Sequence, residues 1–420
     1  MAFEPDWREK ELSLKEVAEK YPDFPKLIAL KIDASRRGIK YTDRALAAVD
    51  PDFHHVEPRS VITDSGTKGA NSVPLGVTLR DGTLICQGDK VITKHTRREP
   101  YTLDIVDGRP VLIDLGEEIE GVEFWEKPLF YDKVTSNGTP MREVASARPQ
   151  RICVIPQPVC EFWKHRCGCK YCSIFSDNMG LDAVKRSEAY FQDVYETVEE
   201  ALKQKGRYAS FMMTSGTALG GEELLDDEVD AYIQTLQAAG KAIGAQKFTV
   251  KLVGTAFSEK QLRRLYDNTG ITTYTTDLEV LNKDLFEWIC PGKAKYIGYD
   301  EWKNRLYTAV GIFGKGNVNT GFVGGVETAQ PHGFKSEEEA LTSTLAEAEE
   351  IGAHGVSFAE TVWNANPRSV FYDQREPSLE YCVRLAQGLA DIRRKNGIGI
   401  YTDDYRRCGN HPNTDLARID

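Results

Sequence analysis

Four of the chain's nine cysteines, Cys160, Cys167, Cys169 and Cys172, fall within thirteen residues. Thiols this close together in a long chain point to a metal or an iron–sulfur cluster rather than to a disulfide framework. Cys169-Lys-Tyr-Cys172 is a Cys-x2-Cys pair, a spacing that lets two thiolates reach one metal centre. All four thiols could close a zinc tetrahedron, although structural zinc usually takes two separated Cys-x2-Cys knuckles and this stretch has one. A cluster kept for electron transfer alone is a third reading.

Composition narrows what such a centre would serve. The formal net charge of -11 and the pI near 5.4 argue against a nucleic-acid partner, because phosphate backbones need a compensating basic surface. The short run Lys94-His-Thr-Arg-Arg98 reads as a solvated turn. A charged fraction of 28% and a hydrophobic fraction of 41%, with a mean hydropathy of -0.43, are ordinary for a globular protein. No apolar run approaches the ~20 residues of a membrane span. The first ten residues lack the basic start and apolar core of a signal peptide, so a cytoplasmic location is expected. A small-molecule substrate suits this balance.

The elements that must position the cysteines follow from hydrophobic periodicity. At 420 residues the chain has room for a large α/β unit and a smaller one. Residues 1–50 read as short helices punctuated by Pro22, Pro25 and Gly38. From 58 to about 132, short β-prone runs with Asp81-Gly82 and Asp107-Gly108 between them read as a small antiparallel sheet. Cys86 there reads as a buried apolar residue, and the polar loop from Asp64 lacks the Gly-Lys-Ser/Thr ending of a P-loop. The turn-rich stretch Thr135 to Pro140 marks a boundary, placing an amino-terminal arm and β region at 1–145. From Ile152 onward, six apolar strands alternate with helices, the last near 377–395, which implies a parallel sheet closed or nearly closed by helices over 146–400. A tail occupies 401–420. The four cysteines follow the first of these strands, and chemistry in such barrels sits where strands end.

Taken together, these residues resemble the radical S-adenosylmethionine (SAM) superfamily, in its biotin-synthase-like branch. The resemblance implies an α/β fold, a partial (β/α)6 TIM-type barrel with a small amino-terminal α+β domain. It implies a 4Fe-4S cluster held by three cysteines of the first barrel loop, usually Cys-x3-Cys-x2-Cys with an aromatic before the last. Tyr171 fills the aromatic position, and Cys169 and Cys172 match the last two cysteines. The first is displaced: His165 stands at the usual position, and Cys160 or Cys167 is its replacement. Thr214, Ser215, Gly216 and Thr217, followed by Gly220-Gly221-Glu222, resemble the segment that holds the SAM ammonium. Thr276-Asp-Leu-Glu279 resembles the Asn-Leu-Glu/Asp segment, in which a carboxylate contacts SAM. Thr320 to Thr328, with Gly324 and Glu327, resembles the adenine-contacting strand, with Thr320, Phe322, Gly325 and Val326 as departures. The implied chemistry is one-electron cleavage of a SAM carbon–sulfur bond and modification of a small-molecule substrate, fed by an electron donor such as flavodoxin or ferredoxin.

The block from Ile289 to Trp302, with Phe313 to Val318 and Phe130 to Pro140, looks like a family found in nitrilase-associated gene clusters. Arg166-Cys-Gly-Cys-Lys-Tyr-Cys172 is similar to the Arg-Cys-Cys-Leu-Lys-Tyr-Cys segment of the radical SAM enzyme of arsinothricin biosynthesis, differing at the middle two positions. That second likeness implies transfer of a 3-amino-3-carboxypropyl group to trivalent arsenic, with Cys153, Cys167, Cys290 or Cys408 as spare thiols if they converge. Cys382 reads as helix core. Glu360, Asn364, Asn366 and Arg368 follow the sixth strand, where substrate contacts or a plain polar loop are both readings. Cys408 and His411 of the tail either fold over the barrel mouth or belong to a frayed terminus.

Overall fold

The computed structural model describes residues 11–50, 74, 76–80, 82, 84–85, 99–173, 181–365, 368–401 and 411–419. The loop from Asp64, Cys86, the basic run at 94–98, Asn366 and Cys408 lie outside them. The chain is a mixed α/β protein, with two sheets among the described residues. The smaller holds β1 (Ile39–Tyr41), β2 (Val77–Leu79), β3 (Leu84–Ile85), β4 (Tyr101–Val106), β5 (Arg109–Asp114) and β6 (Glu117–Phe124), in the order β1-β4-β5-β6-β2-β3. Asp107 and Gly108 turn β4 into β5 with φ values of 49° and 76°, the left-handed pair that a two-residue hairpin requires. Leu115 and Gly116 repeat this geometry before β6 at 50° and 88°. The sheet departs from an all-antiparallel expectation in one place: β1 runs parallel to β4, and the long connection between them, which starts with helix Asp43–Ala47, has the length that a parallel crossover needs.

The larger sheet has seven strands: β7 (Ala145–Arg148), β8 (Arg151–Val154), β9 (Ser210–Thr214), β10 (Val250–Gly254), β11 (Tyr274–Thr276), β12 (Val318–Gly324) and β13 (Ser357–Val362). They stand in sequence order, β7 antiparallel to β8 and every later pair parallel. Helices Glu188–Leu202, Asp226–Ile243, Glu259–Thr269 and Glu337–Ala353 fill the crossovers, and Leu379–Asn396 follows β13. Ser187, Ser258, Ser336 and Ser378 cap four of these helices by accepting from the backbone N–H three residues on. Between β11 and β12 the chain adds helices Lys283–Ile289, Pro291–Tyr296 and Tyr299–Phe313.

One cavity is lined by residues of all six parallel strands or of the loops that leave them. Six strands ~4.8 Å apart would lie too far across a flat sheet to share a wall, so the sheet curls around it. The main core packs the outer helices against this sheet. A smaller core joins Leu30, Ile39, Val77, Leu103 and Leu112. Helix Lys26–Arg37 serves both cores, with Ile28 and Ile32 in one and Leu30 and Ala34 in the other. Among the described residues no helix is long and apolar enough to cross a membrane.

Candidate active site

The cysteine loop leaves β8 and is clamped from both sides by backbone bonds. Towards β9, Glu161 N donates to Thr217 O at 2.9 Å and Gly216 N to Gln157 O at 2.9 Å, while Gln157 N donates to Ser215 Oγ at 3.1 Å. Towards the turn at 289–292, Lys170 N donates to Ile289 O at 2.9 Å and Gly292 N to Cys167 O at 2.8 Å. Glycine is required at the closest of these approaches. A Cβ at Gly216 would lie 2.3 Å from Val159 O, and one at Gly292 would lie 2.6 Å from Cys167 O.

The cavity beneath this loop has a volume of about 290 Å³. At the carboxyl-terminal ends of the strands it is lined by Cys160, Cys169, Cys172, Tyr171, Thr214, Ser215, Thr217, Asp277, Glu279 and Lys293, with Phe162, Trp163, Trp302 and Phe322 as apolar walls. Burial pushes the Cys160 thiol up to about 11. The Cys169 thiol is also raised, first by a hydrogen bond with Cys290 and then by burial. Thiols held protonated in this way would be ionised by a bound metal. Thr217 and Thr255 join the ends of β9 and β10 through their hydroxyls at 2.9 Å. Below them the Glu228 carboxylate accepts from Thr255 N at 2.9 Å and Ala218 N at 3.2 Å, and burial pushes it up to about 7.

Glu279 carries an unusual backbone, φ 72° in a residue with a side chain. Two bonds with β12 fix it there, Glu279 N to Gly321 O at 3.0 Å and Val323 N to Glu279 O at 2.9 Å. Its carboxylate meets Lys293 Nζ at 2.7 Å, and the same ammonium donates to Asp277 O at 2.6 Å and lies 4.6 Å from the Trp302 ring. Burial raises the Glu279 carboxyl in spite of Lys293.

Of the residues singled out in the sequence, Cys160, Cys169, Cys172, Tyr171, Thr214, Ser215, Thr217 and Glu279 share this cavity. Cys167 does not line it; its carbonyl is spent on Gly292. Gly216 stands behind the cysteine loop. Gly324 packs near Leu385, and the buried Glu327 carboxylate is held by Tyr381, Thr344 and Gly325 N, so both lie away from the cavity. Within the stretch Thr320 to Thr328, Gly324 and Glu327 therefore pack against helices, while Gly321, Phe322 and Val323 face the cavity. Cys290 adjoins Cys169; Cys153 and Cys382 are buried away from the cavity. Glu360 is likewise turned from it and accepts from Asn413 N at 2.7 Å.

Sequence reasoning missed Arg148, Arg151, Lys251 and Lys293, all lining the cavity. A lone lysine inside the apolar run Phe248 to Val253 was a signal for one of them. His411 also lines the cavity: its Nδ1 lies 3.0 Å from Glu360 O, beside edge strand β13, and its Nε2 lies 2.7 Å from Lys251 Nζ. Lys251 is the second residue of β10, so the tail enters from the side and contributes below the mouth rather than over it.

Among the described residues, no group of three His, Cys, Asp or Glu side chains is gathered tightly enough to hold a single metal ion. A 4Fe-4S cluster makes a different demand, thiolates spread around a void and each bound to its own iron. Cys160, Cys169 and Cys172 around one cavity suit that demand.

No family model matches the chain. It is similar to bacteriochlorophyllide c C-7(1)-hydroxylase of Chlorobaculum limnaeum, 23% identical over 322 residues, which cover 74% of this chain and 77% of that protein. Among solved structures it is similar to a radical SAM methyltransferase from Sphaerobacter thermophilus, with a TM-score of 0.43 and 16% identity over 95% of this chain and 97% of that one. It is also similar to the cobalamin-dependent S-adenosylmethionine radical enzyme OxsB with aqua-cobalamin bound, with a TM-score of 0.34 and 9% identity over 74% of this chain and 44% of that one.

Proposed function

We propose that this chain is a radical SAM enzyme that uses a 4Fe-4S cluster and SAM to modify a small molecule. The observation that carries this reading is the convergence of three loop thiols, Cys160, Cys169 and Cys172, on the cavity that also receives the polar ends of β9 and β11. The likeness to the C. limnaeum hydroxylase over most of the chain supports an enzymatic role. Cys160, Cys169 and Cys172 would hold the cluster. The bound cluster supplies the single electron that breaks a carbon–sulfur bond of SAM, with a small protein such as flavodoxin or ferredoxin as the source. Thr214, Ser215 and Thr217 offer hydroxyl and backbone groups to the amino-acid end of SAM, and Glu279 with Lys293 offers a carboxylate and an ammonium to its polar atoms. Phe162, Trp163, Trp302 and Phe322 exclude water around the reacting atoms. The units 1–145, 146–400 and 401–420 divide the labour as support, catalytic barrel and wall.

Anaerobic reconstitution with iron and sulfide, then incubation with SAM and dithionite, tests this. A brown protein that releases 5′-deoxyadenosine and methionine is the expected result; a colourless protein, or a brown one that leaves SAM intact, overturns it. Release of methylthioadenosine with arsenite present would identify aminocarboxypropyl transfer instead. Cys290 beside Cys169 is the spare thiol that favours that second reading.

A further inference from the structure

The turn at 289–292 runs against the cysteine loop in the opposite chain direction, and two backbone bonds fix the register: Lys170 N to Ile289 O at 2.9 Å and Gly292 N to Cys167 O at 2.8 Å. Counting inward from either bond brings Cys169 opposite Cys290. The bonds stand further apart than a regular ladder would put them because Pro291, between them, has no N–H to give. Residues opposite each other on antiparallel backbones lie ~4.5–5.5 Å apart at Cα, inside the ~4.4–6.8 Å that a disulfide spans. The two side chains already meet, since Cys169 is hydrogen-bonded to Cys290. Cys169 lines the cavity and is 8% exposed, whereas Cys290 does not line it and is 0% exposed. An oxidant that enters the cavity therefore meets Cys169 first and finds Cys290 behind it.

We propose that Cys169 and Cys290 form a reversible disulfide when the loop carries no cluster, with Cys290 as the resolving thiol that shelters a cluster ligand from irreversible oxidation. The proposal rests on the radical SAM reading for its purpose; the bond itself is defined by the two thiols and the register of the loop. The oxidant is a peroxide. Hydrogen peroxide converts the Cys169 thiol to a sulfenic acid and releases one water. The Cys290 sulfur then attacks the Cys169 sulfur, the S–O bond breaks, and the oxygen leaves as a second water with the Cys290 proton. Two electrons have passed from the two thiols to one peroxide, and a dithiol reductant restores both thiols by returning two electrons and two protons. Without a resolving thiol, a second peroxide carries the sulfenic acid on to sulfinic acid, which dithiols do not reduce. Cys172 is the competing partner, in the same turn, where its N–H donates to Cys169 O at 3.1 Å. The hydrogen bond that already joins Cys169 to Cys290 favours the partner across the loop.

Peptide mapping tests the bond. The full chain, purified reduced and without cluster, is exposed to hydrogen peroxide, alkylated and digested with trypsin. The expected product is a peptide pair joining the Cys169 segment to the Cys290 segment and released by dithiothreitol. Cys167→Ala should give the same pair, with Cys169 as the one thiol left between Arg166 and Lys170. Cys169 joined to Cys172, or Cys290 left open to alkylation while Cys169 is oxidised, overturns the proposal. Iron uptake reads the sheltering role. After peroxide and then dithiothreitol, the wild type should reconstitute with as much iron as its untreated sample, and Cys290→Ala with at most about half as much as its own. Equal recovery in the two proteins overturns the role. A linked pair in a chain that never cleaves SAM sinks the radical SAM reading and leaves the disulfide standing, and SAM cleavage without the linked pair does the reverse.

Discussion

Alanine at Gly216 should detach the thiol loop from its support without touching a thiol. The added methyl would lie 2.3 Å from Val159 O, 2.4 Å from Val159 C and 2.6 Å from Cys160 N, all backbone atoms with no rotamer to yield. To retreat beyond 3.0 Å the peptide into Cys160 must shift by about 0.7 Å. The chain on either side of that peptide is tied by Gly216 N to Gln157 O and by Glu161 N to Thr217 O, so the shift strains both bonds. Overpacking of this kind costs about 1–3 kcal/mol, and misplacing a reacting group by ~1 Å costs about 100-fold in rate. Iron content after anaerobic reconstitution, the cluster absorption near 400 nm and the thermal midpoint provide the assay. The expected result is a folded protein with a lowered midpoint and at most half the wild-type iron. A Gly216→Ala protein that reconstitutes fully and melts with the wild type would refute the claim that the loop after β9 sets the position of Cys160.

Cys160→Ala, Cys169→Ala and Cys172→Ala should each abolish the cluster absorption, whereas Cys167→Ala should keep it; loss of the cluster in Cys167→Ala alone would reassign the third ligand. Glu228 gives a pH signature. Its folded value of about 7 lies above the ordinary 4.5, so its contribution to stability is full below pH 4.5 and declines as pH rises to about 7. The loss amounts to about 3 kcal/mol. Denaturant midpoints of Glu228→Gln should lack this decline, and an identical pH profile would contradict the burial argument. Lys31 and Asp415 form a salt bridge with side chains 2% and 0% exposed. Asp415→Asn leaves the ammonium buried and should lower stability by about 3–5 kcal/mol, read from equilibrium unfolding in urea.

The parallel strands of the larger sheet were legible where a short apolar run precedes a helix with its own start signal, as in Val250 to Gly254 before Glu259–Thr269, capped by Ser258; the antiparallel strand β7 was not anticipated. The hairpin at Asp107-Gly108 announced itself; that at Leu115-Gly116 did not, because leucine is a poor advertisement for a left-handed turn. Helices Pro291–Tyr296 and Tyr299–Phe313 went unread, because Pro291, Gly292 and Gly298 interrupt the helical pattern there. Within the site, the thiols, Thr214 to Thr217 and Glu279 could be placed from strand ends. Gly324 and Glu327 could not, because which side of β12 faces inward is set by register rather than by residue type. Lys251 and His411 meet only through the fold, since they are 160 residues apart in sequence.

That separation constrains how the protein is made. During synthesis the parallel strands and the cysteine loop leave the ribosome before residue 411, so the contribution of His411 to the cavity is missing while those strands are already exposed. Asn413 and Asp415 then dock onto Glu360 and Lys31, from β13 and an amino-terminal helix. Under the proposed function, a cluster loaded before this docking would meet a cavity that His411 has not yet completed.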